Sequence, residues 1–479
     1  MSVSAGALLL LLMLATMAEV PCHAGTRVEL LNSCMRKMVE GVRVKVSCLD
    51  RLHVEGYDCE GGCEVGLFCD EDVEEGAELA RMEKCKTMPF PSHQQEELQR
   101  RFRSVPQEHA ARMGEVSKRL HLPLLWELFK ARRLAQHPLY EYLLTVPKGL
   151  NFLNWPEEER AALEGTNLAL SARSELSDMK LVCQELSLGE EMTWDDMMWC
   201  RSVVLERCFL QGLVKPAGAV LGREEEDLLP CFLPVMDLIN HDALASCKLS
   251  GDESHVILRA SKKMAKGEQL FFNYGSSKSN EELMFAYGFA LEDNPADKLE
   301  HSAASRFSCV ESDPDMFKRK MSLLKDHILT VIPEENRILT KTFYISMDIP
   351  TGISMDNISN IAILLSDEVA SFLPPFTCDP EDLAEIEKGQ PIRIYPEMLE
   401  ELKEMQEVKL EKLDKLDLSK LPGSRAIFAS NYVQGLIEIV AACIQRLQKL
   451  IDGALNQDEK RDEKEGRGAE RMEREGEET

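Results

Sequence analysis

The stretch VMDLINHD, residues 235–242, places polar side chains inside an apolar segment. Asp237, Asn240 and His241 interrupt a run of valine, methionine, leucine and isoleucine that is otherwise typical of a buried strand or turn. A buried polar side chain without a hydrogen-bond partner costs about 1–3 kcal/mol. Three such residues within five positions therefore indicate either a built hydrogen-bond network or a turn at the surface.

A second informative stretch follows after one strand-length segment and a turn. It reads GEQLFFNYGSSKSNEELMFAYGF, residues 267–289, and it is followed by NPAD at 294–297. Apolar and β-branched runs between 228 and 274 predict short strands. Beyond residue 314 the apolar pattern is helical almost without interruption. This change from mixed α/β to all-helical sequence predicts a domain boundary near residues 300–315.

The two stretches, in this order, resemble the SET domain in the branch of the Rubisco large-subunit methyltransferases. Three further segments resemble the same family: the opening strand-turn-strand, the start of an inserted helical segment, and part of the C-terminal substrate-binding domain. They read GLFCDEDVEEGAEL at 66–79, WPEEERAALEGTNL at 155–168 and SRAIFASNYVQGLI at 424–437. The resemblance spans roughly residues 42 to 452.

The resemblance implies an α+β fold, with a SET-domain core of small twisted β-sheets, an inserted helical segment and an all-helical C-terminal domain. The expected organisation has four parts. They are a signal or targeting segment over 1–24, a SET domain over 42–300 with the helical insertion over about 94–212, a helical substrate-binding-like domain over 314–452, and a charged tail over 457–479. The tail has no apolar periodicity, so we predict that it is disordered.

The N-terminal segment leaves the cellular location open. Residues 5–18 are apolar over the length of a signal-peptide core, which is short for a membrane span. A basic-leaning stretch follows, so either secretory entry or a two-part signal into a plastid is compatible with the sequence. The alternative is a buried helix or a different start site, which would leave a cytoplasmic protein.

The resemblance implies S-adenosylmethionine as the cofactor and a role for specific residues. The catalytic residues would be Tyr274 and Tyr287, the cofactor-binding residues Glu64, Val65, Gly66, Asn240 and His241, and the substrate-binding residues Arg207 and Asp237. Two alternatives remain open: Arg207 could form an ion pair on a helix surface, and Asp237 could cap a turn without touching substrate. Glu206 precedes Arg207 at a position where the family usually has serine.

The most specific chemical prediction concerns Tyr274 and the lysine amine. Methyl transfer to lysine is an in-line displacement that needs a neutral amine, and a lysine with its ordinary pKa near 10.4 is charged at pH 7. An apolar channel opposes the charged form by desolvation. A tyrosine hydroxyl at the end of the channel can orient the amine. The resemblance assigns this place to Tyr274, with Tyr287 lining the same channel.

Composition limits the partners. The net charge of −27 disfavours a broad grip on nucleic acid phosphates, so we expect no nucleic acid partner. The resemblance implies a protein substrate, and we expect a monomer without a stable membrane span. The 15 cysteines show no paired C-x-x-C sets at zinc spacing, which predicts free thiols and no structural zinc. A metal site at Asp237, His241 and Asp242 is disfavoured because a third imidazole or thiolate is missing nearby.

Three alternatives compete with a lysine methyltransferase. A close relative within the family methylates histidine, so the substrate side chain remains open. A SET-fold domain could also serve as a protein-binding scaffold without catalysis. A different methyltransferase fold would need a glycine-rich nucleotide loop, and EGGCEVG at 60–66 does not match G-x-G-x-x-G.

Overall fold

The computed structural model describes residues 24–39, 46–47, 52–59, 62–84, 94–214, 229–302, 342–346 and 396–477. The targeting segment expected over 1–24 lies outside these residues except for Ala24, which begins a helix. The domain boundary expected near 300–315 and most of 314–395 also fall outside them.

The N-terminal part consists of one helix and two strand pairs. Its elements are α1 (Ala24–Val39), β1 (Val46–Ser47), β2 (Leu52–Cys59), β3 (Gly62–Cys69) and β4 (Glu78–Glu83). β2 and β3 form an antiparallel hairpin. The turn before β4 contains Gly76 at φ 80°, a conformation in which only glycine is unstrained. The strand-turn-strand expected at 66–79 is present as the end of β3, the turn at Gly76 and the start of β4.

The helical insertion follows directly. Its helices are α2 (Gln94–Arg103), α3 (Gln107–Leu120), α4 (Leu122–Arg133), α5 (Tyr140–Leu143), α6 (Glu157–Arg160), α7 (Asn167–Glu185) and α8 (Trp194–Arg207). A capping box between Thr193 and Asp196 begins α8. α8 ends at Arg207 rather than near 212, because the next three residues are extended and pair with a strand from the second half of the domain.

The remaining strands build the core around one four-stranded sheet. They are β5 (Cys208–Leu210), β6 (Pro230–Phe232), β7 (Asn240–His241), β8 (Cys247–Gly251), β9 (His255–Ala260) and β10 (Phe271–Phe272). The larger sheet is antiparallel in the order β1-β4-β9-β8, and β5–β6 and β7–β10 are separate pairs. The predicted α+β class with several small sheets is confirmed.

The helix α9 (Asn280–Tyr287) joins this core to the C-terminal region. A capping box between Ser279 and Glu282 begins α9, and Gly288 ends it at φ 83°. The strands β11 (Lys298–Ser302) and β12 (Thr342–Ser346) pair next, and two long helices follow, α10 (Pro396–Asp414) and α11 (Gly423–Glu477).

The helix α11 packs on the α+β core through its first half. Tyr432 is fully buried and its hydroxyl contacts Glu281 on α9 at 3.3 Å. Gly435 lies so close to the buried carboxylate of Asp297, in the NPAD motif, that any side chain there would collide with it. The segment Gly423–Gly453 is long and apolar enough to cross a membrane, but helices packed in protein cores have the same length and composition.

In the structure α11 continues to Glu477, through the residues for which the sequence predicts disorder. The sequence there is rich in glutamate, lysine and arginine, which are good helix formers. Once a helix is nucleated by the packed segment before it, its extension does not need an apolar face.

Candidate active site

The segment 235–242 is buried through Ile239, half-buried at Asn240 and His241, and exposed at Asp242. Val235 adopts φ 74° and ψ −45°, a rare conformation for a β-branched residue, and one 3₁₀ turn follows over Met236–Leu238. Asn240 and His241 then form β7, which pairs in parallel with Phe271 and Phe272 of β10. The polar run is therefore part of a built network and not a surface turn.

This pairing brings Tyr274 next to His241, although the two residues are far apart in sequence. The backbone N–H of Tyr274 donates to Nδ1 of His241 at 3.1 Å. The hydroxyl of Tyr274 donates to the carbonyl oxygen of Ile239 at 2.9 Å. Both ends of Tyr274 are thus tied to the segment 235–242, here called the opening motif, and these bonds fix the direction of its ring.

Four aromatic rings gather at this point. The centroid of the Tyr274 ring lies 4.7 Å from that of Tyr287 and 5.2 Å from that of His241. Phe289 stacks on His241 at 5.5 Å and lies 6.1 Å from Tyr287. The structure therefore brings both predicted catalytic tyrosines together. Phe289 is a member that the sequence analysis missed; its signal was its place directly after the glycine that ends α9.

Burial keeps two of these rings uncharged. Desolvation raises the pKa of Tyr287 to about 12, so its hydroxyl retains its proton at neutral pH. Desolvation also lowers the pKa of His241, and the N–H of Tyr274 pointing at Nδ1 requires that nitrogen to be an acceptor. The cluster therefore presents neutral aromatic surfaces.

The strand β3, which contains the expected cofactor-binding residues Glu64, Val65 and Gly66, lies against the opening motif. The side-chain amide of Asn240 donates to the carbonyl oxygen of Val65 at 3.0 Å, which ties β7 to β3. A side chain on Gly66 would collide with the amide of Gln269. Gly66 thus permits the close approach of β3 to the segment before β10. The backbone of Glu64 belongs to β3, and its side chain lies outside the described part of the chain.

Asp237 and Arg207 bind each other. The guanidinium of Arg207 donates to the carboxylate of Asp237 at 3.2 Å and to its carbonyl oxygen at 3.3 Å. The hydroxyl of Tyr142, on α5, donates to the other carboxylate oxygen at 2.6 Å. The Asp237 side chain has no exposed surface. The expected substrate contact of Asp237 does not fit this geometry, because its carboxylate is buried and occupied by two donors.

Glu206 fastens a loop beside the cluster. One of its carboxylate oxygens accepts from the backbone N–H of Asn151 at 2.9 Å and from its side-chain amide at 2.7 Å. The same loop contacts the end of α9, where a side chain on Gly288 would meet the backbone of Leu150. Desolvation raises the pKa of Glu206 from 4.5 to about 7, against the opposing effects of Arg207 and the Asn151 hydrogen bonds.

Glu206→Gln is expected to remove part of the pH dependence of stability. Between pH 4.5, the ordinary pKa of a glutamate in the unfolded chain, and about 7, its pKa in the folded protein, the folded protein binds more protons at Glu206 than the unfolded chain does. The carboxyl therefore contributes most at low pH, and this contribution is lost as pH rises through about 7. Urea denaturation between about pH 5 and about pH 8 should favour the variant over the wild type increasingly with pH. A constant difference would contradict the raised pKa.

Among the described residues no group of three or more histidine, cysteine or acidic side chains could hold a metal ion. Asp237 pairs with Arg207 and Tyr142, and Nδ1 of His241 accepts from Tyr274. The polar and aromatic groups that the described site brings together are hydroxyls, backbone carbonyls and aromatic rings.

Residues 64–275 match the family model of the SET domain. They include most of β3 with the expected cofactor-binding residues Glu64, Val65 and Gly66, the opening motif, and Tyr274. The fold and the site thus define this part of the chain as a SET domain.

Several similar proteins are named lysine or large-subunit N-methyltransferases. The ribosomal lysine N-methyltransferase set10 of Schizosaccharomyces pombe is 30% identical over 257 residues, which are 50% of this chain and 44% of that protein. The chloroplastic ribulose-1,5-bisphosphate carboxylase/oxygenase large subunit N-methyltransferase of Pisum sativum is 27% identical over 232 residues, 43% of each chain. The matched part thus spans less than half the length of these relatives.

Solved structures confirm the fold. The SET domain of LSMT bound to methyllysine and AdoHcy superimposes with a TM-score of 0.59 at 18% identity, over 88% of this chain and 93% of that one. Rubisco LSMT bound to AdoMet gives a TM-score of 0.55 at 17% identity, over 88% and 93%. Residues 64–275 thus match the SET domain, and the structural neighbours of the chain include Rubisco LSMT, as the motifs predict.

Proposed function

We propose that this protein is an S-adenosylmethionine-dependent protein-lysine N-methyltransferase. The observation that carries the proposal is the fixed position of Tyr274, whose hydroxyl and backbone are both bonded to the opening motif beside Tyr287. The similar proteins support the same reaction, since both are named lysine or large-subunit N-methyltransferases. The ribosomal relative makes ribosomal proteins the first substrates to test.

The described residues suit this cofactor. When bound, S-adenosylmethionine would supply the methyl group and a positively charged sulfonium. Aromatic faces and carbonyl oxygens stabilise such a cation, and the cluster of Tyr274, Tyr287, His241 and Phe289 offers the former. Asn240 holds the Val65 backbone, so the two predicted cofactor segments are fixed relative to each other.

The same residues would prepare the lysine. Rings that exclude water disfavour the ammonium form of an entering side chain, which favours the neutral amine that attacks the methyl group. The Tyr274 hydroxyl donates its hydrogen bond to the Ile239 carbonyl oxygen. The hydroxyl oxygen therefore remains available as an acceptor for an amine N–H. Holding the amine in line with the methyl group lowers the entropic part of the barrier.

The test is methyl transfer from labelled S-adenosylmethionine to fractionated lysate and to purified ribosomal proteins, with mass spectrometry of the labelled residue. A methylated lysine supports the proposal. A methylated histidine would establish the alternative reaction on the same site. Binding of protein partners without any transfer would favour the scaffold without catalysis.

Asn240→Ala is expected to weaken binding of both S-adenosylmethionine and its demethylated product. The wild type should bind with micromolar affinity, and a hundredfold excess of ligand over that constant should stabilise it by about 2.7 kcal/mol in a thermal-shift experiment. The variant frees the Val65 carbonyl, so the shift at the same ligand concentration should shrink. The matched control is Asn431→Ala on α11, which removes a side-chain bond to the carbonyl of Ala290 after α9. This variant should bind both ligands as the wild type does. Equal binding by both variants would contradict the role of Asn240.

A further inference from the structure

Tyr142, on the short helix α5, reaches the opening motif from the helical insertion. Its side chain is 2% exposed and its hydroxyl makes two hydrogen bonds within that motif. It donates to the carboxylate of Asp237 at 2.6 Å and accepts from the backbone N–H of Val235 at 2.9 Å. Tyr142 thus bonds a side chain and a backbone group of the motif at the same time.

The second bond, from the N–H of Val235 to the Tyr142 hydroxyl, involves a residue with a strained backbone. Val235 is the one β-branched residue with positive φ among the described residues, and such a conformation costs about 1–3 kcal/mol. Strain of this size persists only where the surroundings determine the conformation. Around Val235 the determining bonds are the Tyr142 hydroxyl on its N–H and the contact from the Leu238 N–H to its carbonyl at 3.1 Å.

The strained turn leads directly to the acceptor of the Tyr274 hydroxyl. Ile239, four residues after Val235, presents that carbonyl at 2.9 Å. Between them, Asp237 is held on one side by Tyr142 and on the other by Arg207, whose charge also interacts with Tyr274. A shift of the turn would therefore move the group that orients the Tyr274 hydroxyl.

We propose that Tyr142 is a positioning residue, whose hydroxyl holds the turn at Val235 and thereby keeps the Ile239 carbonyl in place for Tyr274. This inference rests on the proposed methyl transfer for its catalytic consequence. Its structural part, the stabilisation of residues 235–241, stands on the hydrogen bonds alone.

The test begins with Tyr142→Phe, which deletes one oxygen and leaves Asp237 paired with Arg207. The kcat per cofactor-binding site should fall about tenfold or more, because small displacements of reacting groups are costly. The KM values for cofactor and protein substrate should stay within about threefold. Tyr140→Phe removes the same atom two residues away on α5 and serves as the matched control, with kcat unchanged.

A double-mutant cycle separates positioning from general damage. If Tyr142 acts through the Tyr274 hydroxyl, Tyr142→Phe should reduce kcat little further in a Tyr274→Phe background. Additive losses in the double variant, or a wild-type kcat in Tyr142→Phe, would overturn the inference.

Amide hydrogen exchange gives a readout that does not need activity. Peptides covering 235–241 should exchange faster in Tyr142→Phe than in Tyr140→Phe, while α7 and α8 exchange alike in both. If the wild type transfers no methyl group, the proposed function fails, and exchange still decides the structural part. Unchanged exchange over 235–241 would refute the role of Tyr142 in either case.

Discussion

Tyr274→Phe is expected to lower methyl transfer by on the order of a hundredfold or more, the scale of losing one preorganised hydrogen-bonding group. The substitution keeps the ring, so its contacts with Tyr287 and His241 should persist. What disappears is the hydroxyl that donates to the Ile239 carbonyl and offers its oxygen to the amine. The loss falls on the transition state, so cofactor binding should change far less.

Steady-state kinetics on one defined substrate and calorimetric titration with S-adenosylmethionine measure the two effects separately. Tyr287→Phe should give a smaller loss or a different number of methyl groups, because its ring lies beside Tyr274 without sharing the Ile239 acceptor. Tyr140→Phe is the control for deletion of a tyrosine hydroxyl on the same domain. If Tyr274→Phe transferred methyl groups at the wild-type rate, Tyr274 would have no catalytic role.

Glu175→Ala is expected to destabilise the protein by about 3–5 kcal/mol, the cost of leaving a buried charge without its partner. Glu175 on α7 and Arg201 on α8 form an ion pair at 2.6 Å, and each side chain is only 6% exposed. Arg201 also donates to the Leu120 carbonyl at the end of α3, so the pair joins three helices of the insertion. The guanidinium left behind would have no water to replace the carboxylate.

The matched control is Glu164→Ala, which breaks an ion pair with Arg173 in which both side chains are about 60% exposed. Its free energy of unfolding should stay within about 1 kcal/mol of the wild type, because water solvates both charges. Urea denaturation of both variants at one pH and salt concentration gives the comparison. Equal losses in the two variants would mean that burial does not set the strength of the Glu175 pair.

The amino-acid sequence by itself determined the class of fold and the main chemical group of the site. Apolar periodicity is a local signal, and it predicted the short strands between 228 and 274. The family resemblance implied the strand-turn-strand at 66–79 and the helical insertion. The two motifs at 235–242 and 267–289 carried the family resemblance. That resemblance implied that four residues belong to one site: Tyr274, Tyr287, Asn240 and His241. In the structure, the pairing of β7 with β10 and the contacts between the aromatic rings bring these residues together.

Only the tertiary structure decided the partners of the polar residues. Asp237 meets Tyr142, 95 positions earlier in the chain, and this contact assigns Asp237 to a buried network instead of to the substrate. Glu206 binds Asn151 across 55 positions. Sequence patterns report which residues are buried or turn-forming within about one helix or strand. A hydrogen bond between distant segments depends on how whole elements pack, so no local pattern specifies it.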